Sequence, residues 1–65
     1  MPIISVELGK GQANENQKRE MIERFTEDAS QITGLGKEKF TILINELPKE
    51  NIGVGGKMLK DLMPD

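Results

Sequence analysis

The chain has 65 residues, nine of them Lys or Arg and eleven Asp or Glu, and it contains no cysteine and no histidine. A chain of this length can form one domain, over residues 1–65, and buries only about 60% of its unfolded surface when it folds alone. Disulfides are excluded and the usual ligands of zinc and haem are missing, so we expect no metal and no cofactor. Oligomerisation is the remaining source of stability.

Charge and hydropathy limit the possible partners. The net charge is −2 and there are only two phenylalanines; charges of both signs are interspersed, which argues against a nucleic-acid surface. No apolar run is long enough to cross a membrane, and no basic segment followed by an apolar one resembles a signal peptide. We therefore expect a soluble cytoplasmic protein.

The first predicted element is a β-strand at residues 3–8, followed by a glycine-containing loop at residues 9–13. Alternation places three apolar side chains on one face of this strand and a mixed set on the other. The apolar set is Ile4, Val6 and Leu8, and the mixed set is Ile3, Ser5 and Glu7.

A helix should begin after Asn14, because asparagine is a good N-cap and Gln17 lies where a capping box places its glutamine. Five apolar residues then repeat at helical spacing and form one stripe about 100° wide. They are Met21, Ile22, Phe25, Ala29 and Ile32. The helix is expected to end near Thr33, with Gly34 as the residue beyond its C-terminus.

A second strand is predicted at residues 39–47, ending at Pro48. One face carries Phe40, Ile42 and Ile44, and the other carries Thr41, Leu43 and Asn45. Strand, helix and strand with short connections predict an α/β fold, a right-handed parallel βαβ unit. The glycines within residues 51–56 predict a tight turn or small hairpin. Open strand edges and Leu43 on the second face indicate that the unit is covered in an assembly.

Three weaker patterns have simpler interpretations. The segment Gly9-Lys10-Gly11 resembles half of a dinucleotide fingerprint, but its third glycine position holds Asn14. The glycines at residues 53–56 lack the Lys-Ser/Thr pair of a phosphate loop, so a turn is favoured. Glu7 and Glu46 could form a carboxylate pair, although a solvated or ion-paired role is the better interpretation for each.

Pro2 has the most distinctive chemistry. If Met1 is removed, Pro2 carries a free secondary amine, which can accept a proton or attack a carbonyl carbon. A free α-amino group titrates near 8, and burial in an apolar pocket lowers its pKa, so such an amine is neutral and basic at pH 7. The alternative is that Pro2 only fixes φ where the strand begins.

The order of these features resembles the 4-oxalocrotonate tautomerase family from Pro2 to about Asp61. Besides the initial Met-Pro, the segments that carry the resemblance are Glu15-Asn16-Gln17-Lys18-Arg19, Ile44-Asn45-Glu46-Leu47-Pro48 and Glu50-Asn51-Ile52-Gly53-Val54-Gly55-Gly56-Lys57. The resemblance implies a homohexamer built as a trimer of dimers. It also implies that Pro2 is the general base interconverting the enol and keto forms of a small 2-hydroxy-dienoate or related 2-keto acid.

The sequence departs from that family at the substrate-binding positions. The family's two arginines, which bind carboxylate and carbonyl oxygens, are replaced by Gln12 and Thr41, and an aromatic pocket residue is replaced by Ile52. Lys10 and Lys39 are candidates for the missing positive charge, although lysine cannot form a planar bidentate clamp.

Two classes of function remain open. The first is a tautomerase whose proline could instead attack a carbonyl, or assist hydration or dehalogenation. The second is a non-catalytic oligomeric binding or scaffold protein that kept the fold without the arginines.

Overall fold

The computed structural model describes residues 1–63, so the last two positions of the domain expected over residues 1–65 lie outside the described part. Strand β1 (Ile3–Gly9), helix α1 (Glu15–Thr33) and strand β2 (Thr41–Leu47) are followed by strands β3 (Gly53–Val54) and β4 (Lys57–Met58) and the short helix α2 (Leu59–Leu62). This order confirms the predicted α/β class, a βαβ unit with a small C-terminal hairpin.

β1 and β2 form a two-stranded parallel sheet, in which Ile3 pairs with Thr41 and Gly9 with Leu47. Parallel neighbours need a crossover connection, and α1 provides it. The side chains that alternate towards the helix are half-buried. They are Ile4, Val6, Leu8, Ile42 and Ile44. On the opposite face, Ile3 and Leu43 remain 55% and 46% exposed.

Both predicted ends of α1 are confirmed. Asn14 Oδ1 accepts the Gln17 N–H at 2.8 Å, and Gln17 Oε1 accepts the Asn14 N–H at 2.9 Å, which completes the capping box. At the other end, Gly34 has a φ of 77° and donates its N–H to the Ser30 carbonyl at 2.9 Å. This left-handed conformation favours glycine after the helix.

The start of β2 differs from the prediction. Lys39 lies in a 3-10 turn at Lys37–Lys39, and the Phe40 N–H donates to the Lys37 carbonyl at 3.1 Å. The strand begins at Thr41, whose N–H donates to the Pro2 carbonyl at 3.1 Å. The alternating side chains extended the prediction towards Lys39, but a strand begins only where its neighbour supplies pairing partners.

The C-terminal segment turns sharply after a second 3-10 turn at Lys49–Asn51. Gly55 and Gly56 connect β3 to β4 with φ angles of 61° and 84°. Two successive positive φ angles are typical of the two-residue turns that suit a β-hairpin. The predicted hairpin is therefore confirmed.

One chain does not form a complete core. None of residues 1–63 is fully buried, and Ile22, Phe25 and Ile32 of the predicted helix stripe are 42%, 37% and 84% exposed. The radius of gyration is 14.9 Å, whereas a compact domain of this length is expected at about 11 Å. Within residues 1–63, no helix is long and apolar enough to cross a membrane.

Candidate functional site

Pro2 and Thr41 lie next to each other where the sheet begins. The Pro2 carbonyl accepts the Thr41 N–H at 3.1 Å, and both residues are half-buried. Met1 is 89% exposed, so its removal takes no packed side chain from the fold and leaves the Pro2 nitrogen at the end of the sheet. Lys39, which is exposed, lies two residues before Thr41 at this same end.

Lys10 and Gln12 lie at the opposite end of the sheet. The Lys10 N–H donates to the Leu47 carbonyl at 2.8 Å, where both strands end. The eight steps from Pro2 to Lys10 span about 26 Å at roughly 3.3 Å per residue. The structure therefore brings Pro2, Thr41 and Lys39 to one end and does not bring Lys10 to them within one chain.

The side chain of Gln12 is turned back onto its own loop. Its Oε1 accepts the Gly9 N–H at 2.9 Å, and its backbone N–H donates to the Gly9 carbonyl at 3.1 Å. A Cβ atom at Gly9 would lie 3.0 Å from Gln12 Cδ, so the carboxamide lies directly over this glycine. One lone pair of the carboxamide oxygen is thus used by the loop, and the NH₂ group offers two donors for a ligand.

Ile52 lies at the base of the hairpin. Its carbonyl accepts the Leu59 N–H at 2.8 Å, which folds α2 back towards the turn after β2. Ile52 is half-buried and lines a shallow groove together with Gly53, Gly56 and Met58. Because this segment follows the end of β2, Ile52 belongs to the same end of the molecule as Lys10.

Glu46 connects the loop after β1 to the helix. Its carboxylate forms an ion pair with Lys18 and accepts the Gly11 N–H at 3.5 Å. The two side chains of the ion pair are 32% and 29% exposed. The hydrogen bond from Lys18, and then that from the Gly11 amide, lower the pKa of Glu46 below its usual value of 4.5.

The carboxylate pair considered for Glu7 and Glu46 does not form. Glu7 lies opposite Asn45, whereas Glu46 pairs with Leu8, so the two carboxylates lie on opposite faces of the sheet. Glu7 Oε1 accepts the Asn45 Nδ2–H at 3.0 Å and the Ser5 hydroxyl at 3.2 Å. The ion-paired interpretation is confirmed for Glu46.

Sequence reasoning missed the link from Glu46 to Lys18 and to the loop. The available signal was the alternation of β2, which places Glu46 in line with Ile42 and Ile44 on the helix face. A carboxylate there needs a cation, and Lys18 lies in the first turns of the facing helix.

A groove between the end of β1 and α1 combines apolar and polar side chains. Its volume is about 490 Å³. The apolar lining is Leu8, Ala13, Met21 and Phe25, and the polar lining is Gln12, Gln17, Glu20 and Arg24. Arg24 is held by Glu20, with Nη2 at 2.7 Å from Oε2. This groove therefore leaves apolar helix side chains accessible in the single chain.

Comparison with known proteins identifies the family. A family model described as tautomerase enzyme matches residues 2–62. The chain belongs to this tautomerase family. The 2-hydroxymuconate tautomerase of Bacillus subtilis is 37% identical over 62 residues, which cover 95% of this chain and 98% of that relative. A probable tautomerase of Halalkalibacterium halodurans is 36% identical over 61 residues, covering 94% and 98% of the two chains.

Solved structures agree with this assignment. The crystal structure of YwhB, a homologue of 4-oxalocrotonate tautomerase, matches with a TM-score of 0.88 and 34% identity, covering 95% of this chain and 100% of that one. A 4-oxalocrotonate tautomerase isozyme of Methylibium petroleiphilum matches with a TM-score of 0.87 and 31% identity, covering 94% of each chain. The resemblance noted in the sequence and the fold it implied are confirmed.

The lowered pKa of Glu46 predicts an acid-dependent loss of stability. A carboxyl group whose pKa is lower in the folded protein stabilises the fold above its unfolded pKa, and this contribution is lost as the pH falls through the folded pKa. Wild type should therefore lose more thermal stability than Glu46→Gln as the pH falls from about 5 to about 3. Circular dichroism at fixed protein concentration measures the difference.

Glu23→Gln is the matched control, because Glu23 is exposed and forms no ion pair within residues 1–63. The thermal unfolding midpoint of Glu23→Gln should follow that of wild type across the same pH range. If the thermal midpoints of wild type and Glu46→Gln fall equally as the pH is lowered, the Glu46 carboxylate has no stabilising role.

Proposed function

We propose that the protein is a keto–enol tautomerase for a small 2-hydroxy-dienoate or related 2-keto acid, with Pro2 as the general base after removal of Met1. The observation that carries this proposal is the position of Pro2, half-buried at the start of β1 behind an exposed Met1, in a chain of the tautomerase family. The relative named 2-hydroxymuconate tautomerase supports the substrate class.

The reaction needs only a proton carrier. The neutral Pro2 amine takes the proton from the enol hydroxyl, the oxygen electron pair forms the carbonyl, and the carbon–carbon double bond shifts towards the carbon to be protonated. The resulting ammonium group returns the proton to that carbon, so the amine is regenerated. No redox step occurs and no cofactor is required.

The substrate oxygens need hydrogen-bond donors close to Pro2. Thr41 adjoins Pro2 through the backbone hydrogen bond and carries a hydroxyl, and Lys39 contributes a positive charge at the same end. Lys10 lies about 26 Å away along the sheet, and Gln12 and Ile52 belong to the same far end. We propose that a neighbouring subunit supplies them, because one small substrate cannot contact both ends of a single chain.

We also propose that the protein is a homo-oligomer, with a hexamer of three dimers as its form. The support is the lack of any fully buried residue within residues 1–63 and the exposed apolar side chains on both layers, Ile3 and Leu43 on the sheet and Ile32 on the helix. Burying the apolar surface of these side chains between subunits stabilises an assembly by about 25 cal/mol per Å². The cytoplasmic location expected from the sequence stays a prediction.

If the protein is an oligomer, its stability should depend on assembly. Light scattering at micromolar concentration should give the mass of six chains, and dilution should reduce the thermal midpoint, because assembly and stability are linked by mass action. Leu43→Glu places a charge on the exposed sheet face and should shift the mass towards smaller species. A folded wild-type monomer that is stable at micromolar concentration would contradict the proposal.

The base prediction uses two forms of one sequence. Chemical synthesis of this 65-residue chain can give either Pro2 or Met1 as the first residue. The Pro2 nitrogen is a free amine in the first form and an amide in the second. The Pro2 form should convert 2-hydroxymuconate to its keto form, and the Met1 form should lose most of this activity, since an amide nitrogen is not a base. Absorbance of the enol measures turnover, and intact mass verifies each form.

Pro2→Ala in the mature protein should also reduce kcat/KM strongly while the oligomer mass is unchanged. The wild-type profile of kcat/KM should fall on the acid side as the amine is protonated. Equal activity of the Pro2 and Met1 forms would remove the amine from the mechanism. Absence of turnover in both, with an intact oligomer, is the outcome that the non-catalytic scaffold alternative requires.

The Thr41→Arg variant tests whether an arginine at position 41 improves turnover of a dicarboxylate substrate. Wild type should act weakly on 2-hydroxymuconate, because a hydroxyl gives one neutral hydrogen bond where a guanidinium gives a charged bidentate pair. The variant should raise kcat/KM for this dicarboxylate by about tenfold, or about 1.4 kcal/mol. Gln12→Arg is expected to gain less, because it also removes the bond to the Gly9 amide. A wild-type kcat/KM of about 10⁶ M⁻¹s⁻¹ or more would show that another group already supplies the charge.

A further inference from the structure

A cleft rich in lysine lies where β1 and β2 end. Its walls are the start of the loop after β1, the turn after β2 and the helix α2, and its volume is about 240 Å³. It is lined by Lys10, Pro48, Lys49, Glu50 and Lys60. At about 30 Å³ for each water of the liquid, the cleft has room for a few polar groups of a small organic ion.

Three lysines and one glutamate line this cleft. Lys49 is held in place, because its Nζ donates to the Met63 carbonyl at 2.8 Å. Lys10 and Lys60 form no ion pair with any of residues 1–63, in contrast to Lys18 and Lys37, which are paired with Glu46 and Glu27. Within residues 1–63, the cleft therefore presents two lysines, Lys10 and Lys60, that are not held in an ion pair.

The chain places these groups together by backbone contacts. The Lys10 amide is bonded to the Leu47 carbonyl at 2.8 Å, and the Leu59 amide is bonded to the Ile52 carbonyl at 2.8 Å. The first bond sets Lys10 beside the turn after β2, and the second brings α2 with Lys60 back to the same turn. The three lysines thus converge from separate parts of the sequence.

We propose that this cleft binds the carboxylate end of a small organic acid, with Lys10 and Lys60 as its direct contacts. That this acid is the enzyme's substrate rests on the proposed function. Glu50 lines both the cleft and the groove that contains Ile52, so the two depressions adjoin each other at this residue. The lysines supply charge that neutral Gln12 and Thr41 do not.

The binding test uses a dicarboxylate that cannot react. Muconate has the conjugated six-carbon chain with two carboxylates and lacks the enol hydroxyl, and its dimethyl ester is the uncharged counterpart. Titration of ¹⁵N-labelled full-length oligomer with muconate should shift the amide resonances of Lys10, Glu50 and Lys60. Binding should weaken as salt increases, because exposed charges are screened, and the diester should cause no such shifts.

Charge-matched variants locate the site. Lys10→Gln and Lys60→Gln should each weaken muconate binding by about fivefold to tenfold. Lys37→Gln removes the same charge beyond the opposite end of the sheet, where Lys37 is paired with Glu27, and should leave the affinity unchanged. The proposal is overturned if the Lys10→Gln/Lys60→Gln double variant binds muconate as tightly as wild type, or if the diester binds equally well.

Turnover separates this inference from the proposed function. With 2-hydroxymuconate, Lys60→Gln should raise KM by the same factor as it weakens muconate binding and change kcat by less than about twofold. Turnover with an unchanged KM in Lys60→Gln would overturn the cleft and leave Pro2 chemistry standing. Muconate binding at the cleft in a wild type without turnover would support the anion site and reject the tautomerase proposal.

Discussion

The parallel pairing of β1 with β2 determines where every candidate residue lies. Because the two strands run in the same direction, their starts meet at one edge and their ends at the other. Pro2 therefore adjoins Thr41 at one edge, and Lys10 adjoins Leu47 at the other. The length of the strands sets the distance between these two pairs. A shift of the register by one residue would move every side chain of β2 to the other face. The pattern of Ile42 and Ile44 against the helix prevents that shift.

The second constraint is the small size of the chain. One helix can cover only one face of a two-stranded sheet, so Ile3 and Leu43 remain exposed, and the outer edges of both strands are unpaired within residues 1–63. Such a surface is stable in water only when it is covered. The proposed active site is also incomplete in one chain, because Pro2 and some of the proposed binding residues lie at opposite ends of the sheet. In the proposed oligomer, the same contacts between subunits would therefore serve both folding and catalysis.

The lysines of the cleft at the end of the sheet carry positive charge, whereas Gln12 and Thr41 are neutral. Gln12 uses its carbonyl oxygen to hold the Gly9 amide, so its position in the loop serves local structure as well as any ligand. In the proposed anion site, the lysines of the cleft would act as separate point charges, which attract an anion without imposing the planar geometry of a guanidinium. A site of this kind tolerates carboxylates of differing orientation. It also discriminates less between one carboxylate and two.

Local sequence determined the elements whose signals are local. The capping box of Asn14 and Gln17, the end of α1 at Gly34 and the glycine turn of the hairpin depend on residues within a few positions of each other, and all three were predictable. The family was also visible in the order of short segments. The start of β2 was not, because Lys37–Lys39 forms a turn and the strand begins only where Pro2 supplies a partner.

The tertiary structure alone decided the contacts between distant residues. The ion pair of Lys18 with Glu46 requires the helix to lie on a particular face of the sheet, and the convergence of Lys10, Lys49 and Lys60 requires α2 to fold back through the Ile52 carbonyl. Neither is encoded in spacing along the chain, since each depends on how separate elements pack. The sequence by itself thus determined the family, the βαβ order and Pro2 as the candidate base. The packing decided that Pro2 and the lysine cleft lie at opposite ends of one subunit, because a parallel sheet separates its two edges by the length of its strands.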